Sequence, residues 1–419
     1  MCSVYWAFHD FSAVTTTIVM GMIWLLVYAQ FLTAKPLMGH SAADVSVMRT
    51  SNVTSTSLVG EDDPTSSTRS NTTERAPVTL TDEPTLESLP AYRASVELKR
   101  IYLPVVMVAG TFGNVLVVVI QRRIPSNEKS SMSVYFTALA VSDTTALWTG
   151  WFWMLEAFGV TLSVEYHVQK NYRGVAMDIL CRIRVWISYA FGQISAWILV
   201  SMTLHRAVGI VWPHRTRGVL TKRNAGKIVA FIFLFCTLSN AHVLYGHSLV
   251  LTDNDQKAFC FFSFVSERYD KFFNRFWVWE DIVVAVVFPF ACLLVTNTVL
   301  VRKVGQSLKD ARENLSEGRS DQFASRDKKL SSMTLTLIVM SAAFLLLVSP
   351  GTVYMILENA LASDAVHDVR LRAARELAVS AGVDLWYTNL AINFYLYCLT
   401  GARYRAEFFR LFARGRWRP

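Results

Sequence analysis

Asp143 is the residue whose position demands an explanation. It stands in the apolar run Leu139-Ala140-Val141-Ser142-Asp143, and a lone carboxylate in such surroundings needs water, a cation or a hydrogen-bond donor. Asn114, Ser195, Asn389 and Asn393 are polar residues placed at similar depth in other apolar runs. Together they can build a small hydrated cavity that holds an allosteric sodium ion, or a purely structural hydrogen-bond network. Chemistry of the enzymatic kind has no foothold. The chain lacks His-Glu-x-x-His, Gly-x-Ser-x-Gly and a phosphate loop ending in Gly-Lys-Ser/Thr, so no catalytic residue and no resident cofactor is expected. His242 and His247 form a histidine pair without a third ligand, which reads as polar contact and not as a metal site.

The elements that position these residues follow from composition. Of 419 residues, 53% are hydrophobic and 17% charged, and the mean hydropathy is +0.32. Soluble domains carry roughly 25% charge, so the balance points to a membrane. The net charge of +9 is concentrated between apolar runs, which excludes a nucleic-acid partner and fits basic cytoplasmic loops. Seven runs are long enough to cross roughly 30 Å of hydrocarbon as helices: about 101–121, 132–157, 179–208, 225–249, 276–301, 330–357 and 378–399. Fold class is therefore an all-α membrane protein, a seven-transmembrane helix bundle. Residues 99–400 form the seven-helix body, and 401–419 a short amphipathic helix with a basic tail. Tyr404, Phe408, Leu411 and Phe412 recur there at helical spacing among arginines, as expected for a helix lying on the bilayer.

Residues 1–29 read as a signal peptide or a first anchor, with Val27-Tyr28-Ala29 as a cleavage site. Residues 30–98 are rich in Ser and Thr without apolar periodicity, and are expected to be a disordered tail. Its sequons place glycans on Asn52 and Asn71. Arg206, Arg215, Arg217, Lys222, Arg223 and Lys227 follow the third run with no acid among them, and the C-terminal segment is equally basic. That side faces the cytoplasm. The expected location is the plasma membrane, multi-pass, with the amino terminus extracellular.

Several short patterns then converge. Gly113-Asn114 stands in the first span, Leu-Ala-x-x-Asp in the second, and Cys181 lies 25 residues before Arg206. Pro289 follows in span five, Phe344 and Pro350 in span six, and Asn393-x-x-x-Tyr397 in span seven. Over about residues 98–412 the chain resembles rhodopsin-like (class A) G-protein-coupled receptors. Its phrasing around Leu204-His205-Arg206 and Ile392-Asn393-Phe394-Tyr395 is most similar to invertebrate FMRFamide-like neuropeptide receptors. The resemblance implies an extracellular peptide ligand, coupling to a heterotrimeric G protein, and activation through His205, Arg206, Phe344, Pro350, Asn393 and Tyr397. It also implies a disulfide from Cys181 to Cys260 in the second outer loop, with Cys2 a further outer cysteine if it is retained.

Departures from the pattern are as informative. His205 replaces the acid before the arginine and Ala207 the aromatic after it; Val348 replaces the sixth-span tryptophan, Phe394 the seventh-span proline and Asn297 the fifth-span tyrosine. Without that acid, and with no obvious substitute at the start of span six, ligand-independent signalling is expected. Tyr387 and Ser188 stand where retinal- and amine-binding members carry lysine and aspartate, which excludes those ligands. The outer halves instead offer acids and aromatics: Trp153 and Glu156, Trp279, Glu280 and Asp281, and Asp384 and Trp386. Buried carboxylates are costly unless paired, and a guanidinium can bridge one while stacking on an indole. The ligand-binding set therefore points to a cationic amidated neuropeptide, unless Arg182 or Arg184 neutralises the acids from within. An ion-coupled transporter or channel using Asp143, or an atypical receptor that couples weakly, are the alternatives.

Overall fold

Helices account for nearly all of the described chain. The computed structural model describes residues 85–124, 130–151, 172–213, 216, 218–248, 250–251, 258–259, 265–315, 321–361 and 368–413. In chain order, α1 is Pro90–Arg123, α2 Met132–Leu147, α3 Tyr172–Val211 and α4 Lys222–Ser239. Next come α5, which crosses as Glu267–Lys303 and continues as Phe288–Leu315, α6 (Asp321–Leu361), α7 (Val369–Thr400) and α8 (Ala402–Ala413). A single turn, His242–Gly246, follows α4. Beyond it Val250–Leu251 pairs antiparallel with Ala258–Phe259 in a two-residue ladder, Val250 opposite Phe259.

Helix ends have local causes. Thr221 accepts from the Asn224 amide at the start of α4, and Asp368 from the Arg370 amide at the start of α7, each satisfying a backbone donor that the first turn leaves open. Five described helices are long and apolar enough to cross a membrane. α2 is 16 residues long before the tight turn Trp148–Gly150, and α7 begins with arginines outside its apolar part. Outward faces stay apolar, with Val108 71%, Leu346 73% and Leu399 74% exposed. Contiguous apolar surface of that kind belongs against lipid.

α3 threads the middle, touching α2, α4, α5 and α6, while α7 joins α1 and α6. The main core gathers Leu139, Ile194, Ile198, Met202, Leu293 and Phe344. A second cluster joins α1, α2 and α7 through Leu103, Leu147, Tyr387 and Leu390. Small residues let two helix pairs approach closely: a Cβ on Gly110 would meet Ala391 at 2.6 Å, and one on Gly351 would meet the Gly382 backbone at 3.1 Å.

Three expectations need correction. The tail was expected to lack structure as far as residue 98, yet Pro90–Glu97 is helical. Pro90 pre-sets the first turn, and Ser95 is buried where this turn packs on α7. The spans also overrun their apolar runs: α3 starts at Tyr172, α5 reaches Leu315 and α7 starts at Val369, because charged turns continue the helix outside the hydrocarbon. Conversely, the fourth run is not one helix, since Asn240 ends α4 before the His242 turn. The α8 range agrees with the amphipathic pattern, and its Tyr404, Phe408 and Leu411 pack against the core. Residues 1–29, Asn52 and Asn71 lie outside the described residues.

Candidate functional site

At mid-depth the structure brings Asp143 together with two of its expected partners. Ser195 donates its hydroxyl to Asp143 Oδ1 at 2.6 Å, and Asn393 donates from Nδ2 to Asp143 Oδ2 at 2.6 Å. α2, α3 and α7 are thereby tied at one carboxylate, which is 1% exposed. The Ser142 hydroxyl donates to the Phe191 carbonyl and lies 3.0 Å from Ser195 Oγ. Asn114 is also buried. It donates to the Leu390 carbonyl at 3.3 Å, and its Oδ1 has no hydrogen-bond partner among the described residues. Asn389 is half-buried on α7 and belongs to no bond described here. The carboxylate, the serine hydroxyl and the orphaned Asn114 oxygen are hard oxygen donors of the kind a small cation selects.

The outer end divides its acids by helical phase. Asp384 is 3% exposed, and neither of its carboxylate oxygens has a hydrogen-bond donor among the described residues. Lys99 of α1 is near enough to act on its charge, a neighbour that sequence reasoning missed. Asp281, by contrast, accepts from Gln193 Nε2 at 2.8 Å, and Gln193 Oε1 accepts from Asn240 at 2.9 Å. This buried amide chain runs from α4 across α3 to α5. Neither amide was singled out beforehand, although both are polar residues inside apolar runs. Glu280, one residue away and so turned by about 100°, acts on Cys236 of α4, with Oε2 buried and unbonded.

Trp386 lies against Gly192 of α3, where a Cβ would sit 3.0 Å from its ring, and its indole meets the Tyr387 ring edge-on at 4.9 Å. Trp279 is half-buried on α5. Trp153 and Glu156 lie outside the described residues. Arg182 pairs with Asp178 at 2.7 Å and donates to the Leu244 and Tyr245 carbonyls, and among the described residues it forms no ion pair with Glu280, Asp281 or Asp384. Arg184 is buried, and its charge reaches Tyr189 of α3 and Tyr387 of α7. Cys181 is disulfide-bonded. Its partner is none of Cys236, Cys292 and Cys398, which are free, and Cys260 lies outside the described residues.

At the cytoplasmic end a cavity of about 680 Å³ opens between α2, α3 and α6, lined by Ser131, His205, Arg206, Pro213, Leu220 and Met333 among others. His205 turns to α2, with Nε2 2.7 Å from Ser131 Oγ and Nδ1 3.4 Å from Tyr135 Oη. Arg206 donates from Nε to Thr334 Oγ1 at 3.3 Å. Span six thus supplies a partner after all, a hydroxyl where the sequence suggested none. Phe344 is buried in the main core, and Pro350 stays inside the unbroken α6. Tyr397 is buried edge-on to Phe136 at 4.9 Å and beside Tyr404 of α8 at 5.0 Å.

The family profile described as "7 transmembrane receptor (rhodopsin family)" matches residues 113–397, well over half of the chain. The chain belongs to the rhodopsin family of seven-transmembrane receptors. Among similar proteins, the cysteinyl leukotriene receptor 1 of Sus scrofa is 24% identical over 306 residues, 72% of this chain and 80% of that receptor. The Cavia porcellus receptor of the same name is 25% identical over 249 residues, 58% and 64% of the two chains. The lysophosphatidic acid receptor 6 of Gallus gallus is 23% identical over 189 residues, 45% and 57%. These relatives are not FMRFamide-like receptors. That narrower likeness rested on short stretches of α3 and α7, and what the profile and these relatives support is membership of the wider family. This rhodopsin-family receptor is a multi-pass membrane protein and not an enzyme.

Proposed function

We propose that this receptor sits in the plasma membrane with its amino terminus outside and binds a ligand carrying a cationic group that pairs with Asp384. One observation carries the reading: Asp384 is buried with both oxygens lacking a hydrogen-bond donor among the described residues, Lys99 acting on it through charge without a hydrogen bond. A carboxylate in that state is costly, and a guanidinium supplies two parallel donors to it. Trp386, two residues on, offers a ring face for stacking. A cationic amidated peptide has this chemistry. Ligand binding shifts an equilibrium between inactive and active arrangements, read by a heterotrimeric G protein at the cavity around Arg206. Asp143, Ser195 and Asn114 suit an allosteric sodium ion, which would supply the missing countercharge at mid-depth.

A second reading reverses the ligand's charge. Relatives are named for cysteinyl leukotrienes and lysophosphatidic acid, and Arg184 is a buried cation of α3 whose charge reaches Tyr387 of α7 and to which an acidic lipid can bind. The two separate in one screen. Cells expressing the receptor are exposed to amidated arginine peptides and, in parallel, to lysophosphatidic acid and cysteinyl leukotrienes, reading calcium and cyclic AMP. Responses to peptides alone support the first reading, and responses to lipid acids alone overturn it.

A further inference from the structure

A recess of about 380 Å³ opens on the outside of the bundle between α5 and α6, walled by Leu294, Val301, Ile338, Ala342 and Leu345. Leu294, Thr298, Val301 and Arg302 are spaced as one helical stripe, and Ile338, Ala342 and Leu345 as another. Leu294 and Val301 are more than half exposed, so the recess faces lipid. It is elongated along the bundle: eight residues separate Leu294 from Arg302, about 12 Å of helix at 1.5 Å per residue. Arg302 closes the cytoplasmic end, next to Lys303, where the crossing part of α5 stops.

Polar groups in the recess are few, and each is informative. The Thr298 hydroxyl is satisfied by its own helix, donating to the Leu294 carbonyl at 2.8 Å. Asn297 Oδ1 is buried without a donor among the described residues. It stands where the family pattern has a tyrosine, so a small amide leaves open the room that a phenol ring would fill. Arg302 is exposed and forms no ion pair among the described residues. In hydrocarbon an unmet acceptor costs several kcal/mol, and water has little reason to enter an apolar crevice.

We propose that this recess binds an anionic monoacyl glycerophospholipid of the inner leaflet. Its single chain lies along the apolar walls, its free glycerol hydroxyl donates to Asn297 Oδ1, and its phosphate pairs with Arg302. The recess has room for part of one chain, the rest lying in the bilayer, and not for two. The orphaned atom is an acceptor, so it calls for an O–H donor, which a diacyl lipid does not offer at that depth. The cation at the membrane boundary calls for the phosphate. This site is separate from the extracellular ligand site and does not depend on that ligand's charge.

The test is native mass spectrometry of the full-length receptor titrated with 1-oleoyl-lysophosphatidylglycerol, with its 2-O-methyl ether as the control that loses the hydroxyl of the acyl-bearing glycerol and keeps both headgroup hydroxyls. Wild type is expected to take up one molecule, and the ether to bind about tenfold more weakly. Arg302→Gln and Asn297→Leu each lower affinity about tenfold, and Asn297→Leu abolishes the difference between lipid and ether. Asn297→Tyr, which fills the recess, removes the bound species. Arg302→Gln alters only a lipid-facing edge, so it remains informative if a core variant fails to fold. Equal uptake by wild type and Arg302→Gln, or equal affinity for lipid and ether in wild type, would overturn the proposal.

Discussion

Arg206 of α3 donates to the Thr334 hydroxyl of α6 at 3.3 Å, across the cytoplasmic mouth of the bundle. Hydrogen bonds from a charged donor are worth about 1.5–3 kcal/mol when well formed, and this one is long. Thr334→Ala will therefore release α6 by about 1 kcal/mol and raise ligand-independent signalling several-fold. Thr334→Ser, which keeps the hydroxyl, will change it little. Basal cyclic AMP and calcium at matched surface expression decide the matter, and equal basal output from wild type and Thr334→Ala contradicts it.

His205 offers Arg206 no carboxylate and bonds instead to Ser131 and Tyr135 of α2. An aspartate at this position can reach the guanidinium beside it through a charge-assisted bond. His205→Asp will lower basal signalling, and more so in the Thr334→Ala background, which lacks the Thr334 hydroxyl that Arg206 donates to. Additive effects of the two changes in a double-mutant cycle would argue that the residues do not share Arg206.

The Asp143 constellation was legible from sequence because a carboxylate in a hydrophobic run has few explanations. Its actual partners, Ser195 and Asn393, come from runs far away in the chain, and depth alone brought them onto one short set of candidates. Thr334 was not legible. Helical hydroxyls commonly satisfy themselves on the carbonyl four residues back, as Thr203 and Ser341 do here, so nothing in the chain marks the one that reaches another helix. Gln193 and Asn240 carry no mark in the sequence because each is a single neutral amide, and only the bonds from Asn240 to Gln193 and from Gln193 to Asp281 give them a role. The Pro90–Glu97 helix was hidden by a polar, Ser/Thr-rich context, since its stability comes from packing on α7.

Sodium provides a test of the mid-membrane site. If Asp143, Ser195 and Asn114 hold the ion, agonist affinity will fall as sodium replaces a bulky organic cation at constant ionic strength. Asp143→Asn, which keeps the shape and removes the charge, will abolish that dependence. Radioligand competition at the two salts measures it. A sodium effect that survives in Asp143→Asn places the ion elsewhere.

His247, just beyond the outer end of the fourth crossing segment, is buried against Phe273 and Tyr269. Burial first, then the nearby charges of His242, Arg184 and Arg182, push its imidazole down from 6.5 to about 4. The folded state thus binds the proton less well than the unfolded one. Its contribution to stability is present above about 6.5 and is lost as pH falls towards about 4. Thermal unfolding of the purified receptor will show a falling midpoint over that window, and His247→Phe will flatten the fall.

The pairing of an extracellular cation with Asp384 is tested most directly by a matched peptide pair differing only in arginine or citrulline, measured in competition binding on wild type and Asp384→Asn. Citrulline keeps the shape of the side chain and discards its charge. Asp384→Asn is predicted to weaken the arginine peptide by roughly 2–5 kcal/mol, as for a desolvated charge pair, and to leave the citrulline peptide nearly unchanged. Equal losses for both peptides would contradict the account and leave Asp384 as a partner of Lys99 within the fold.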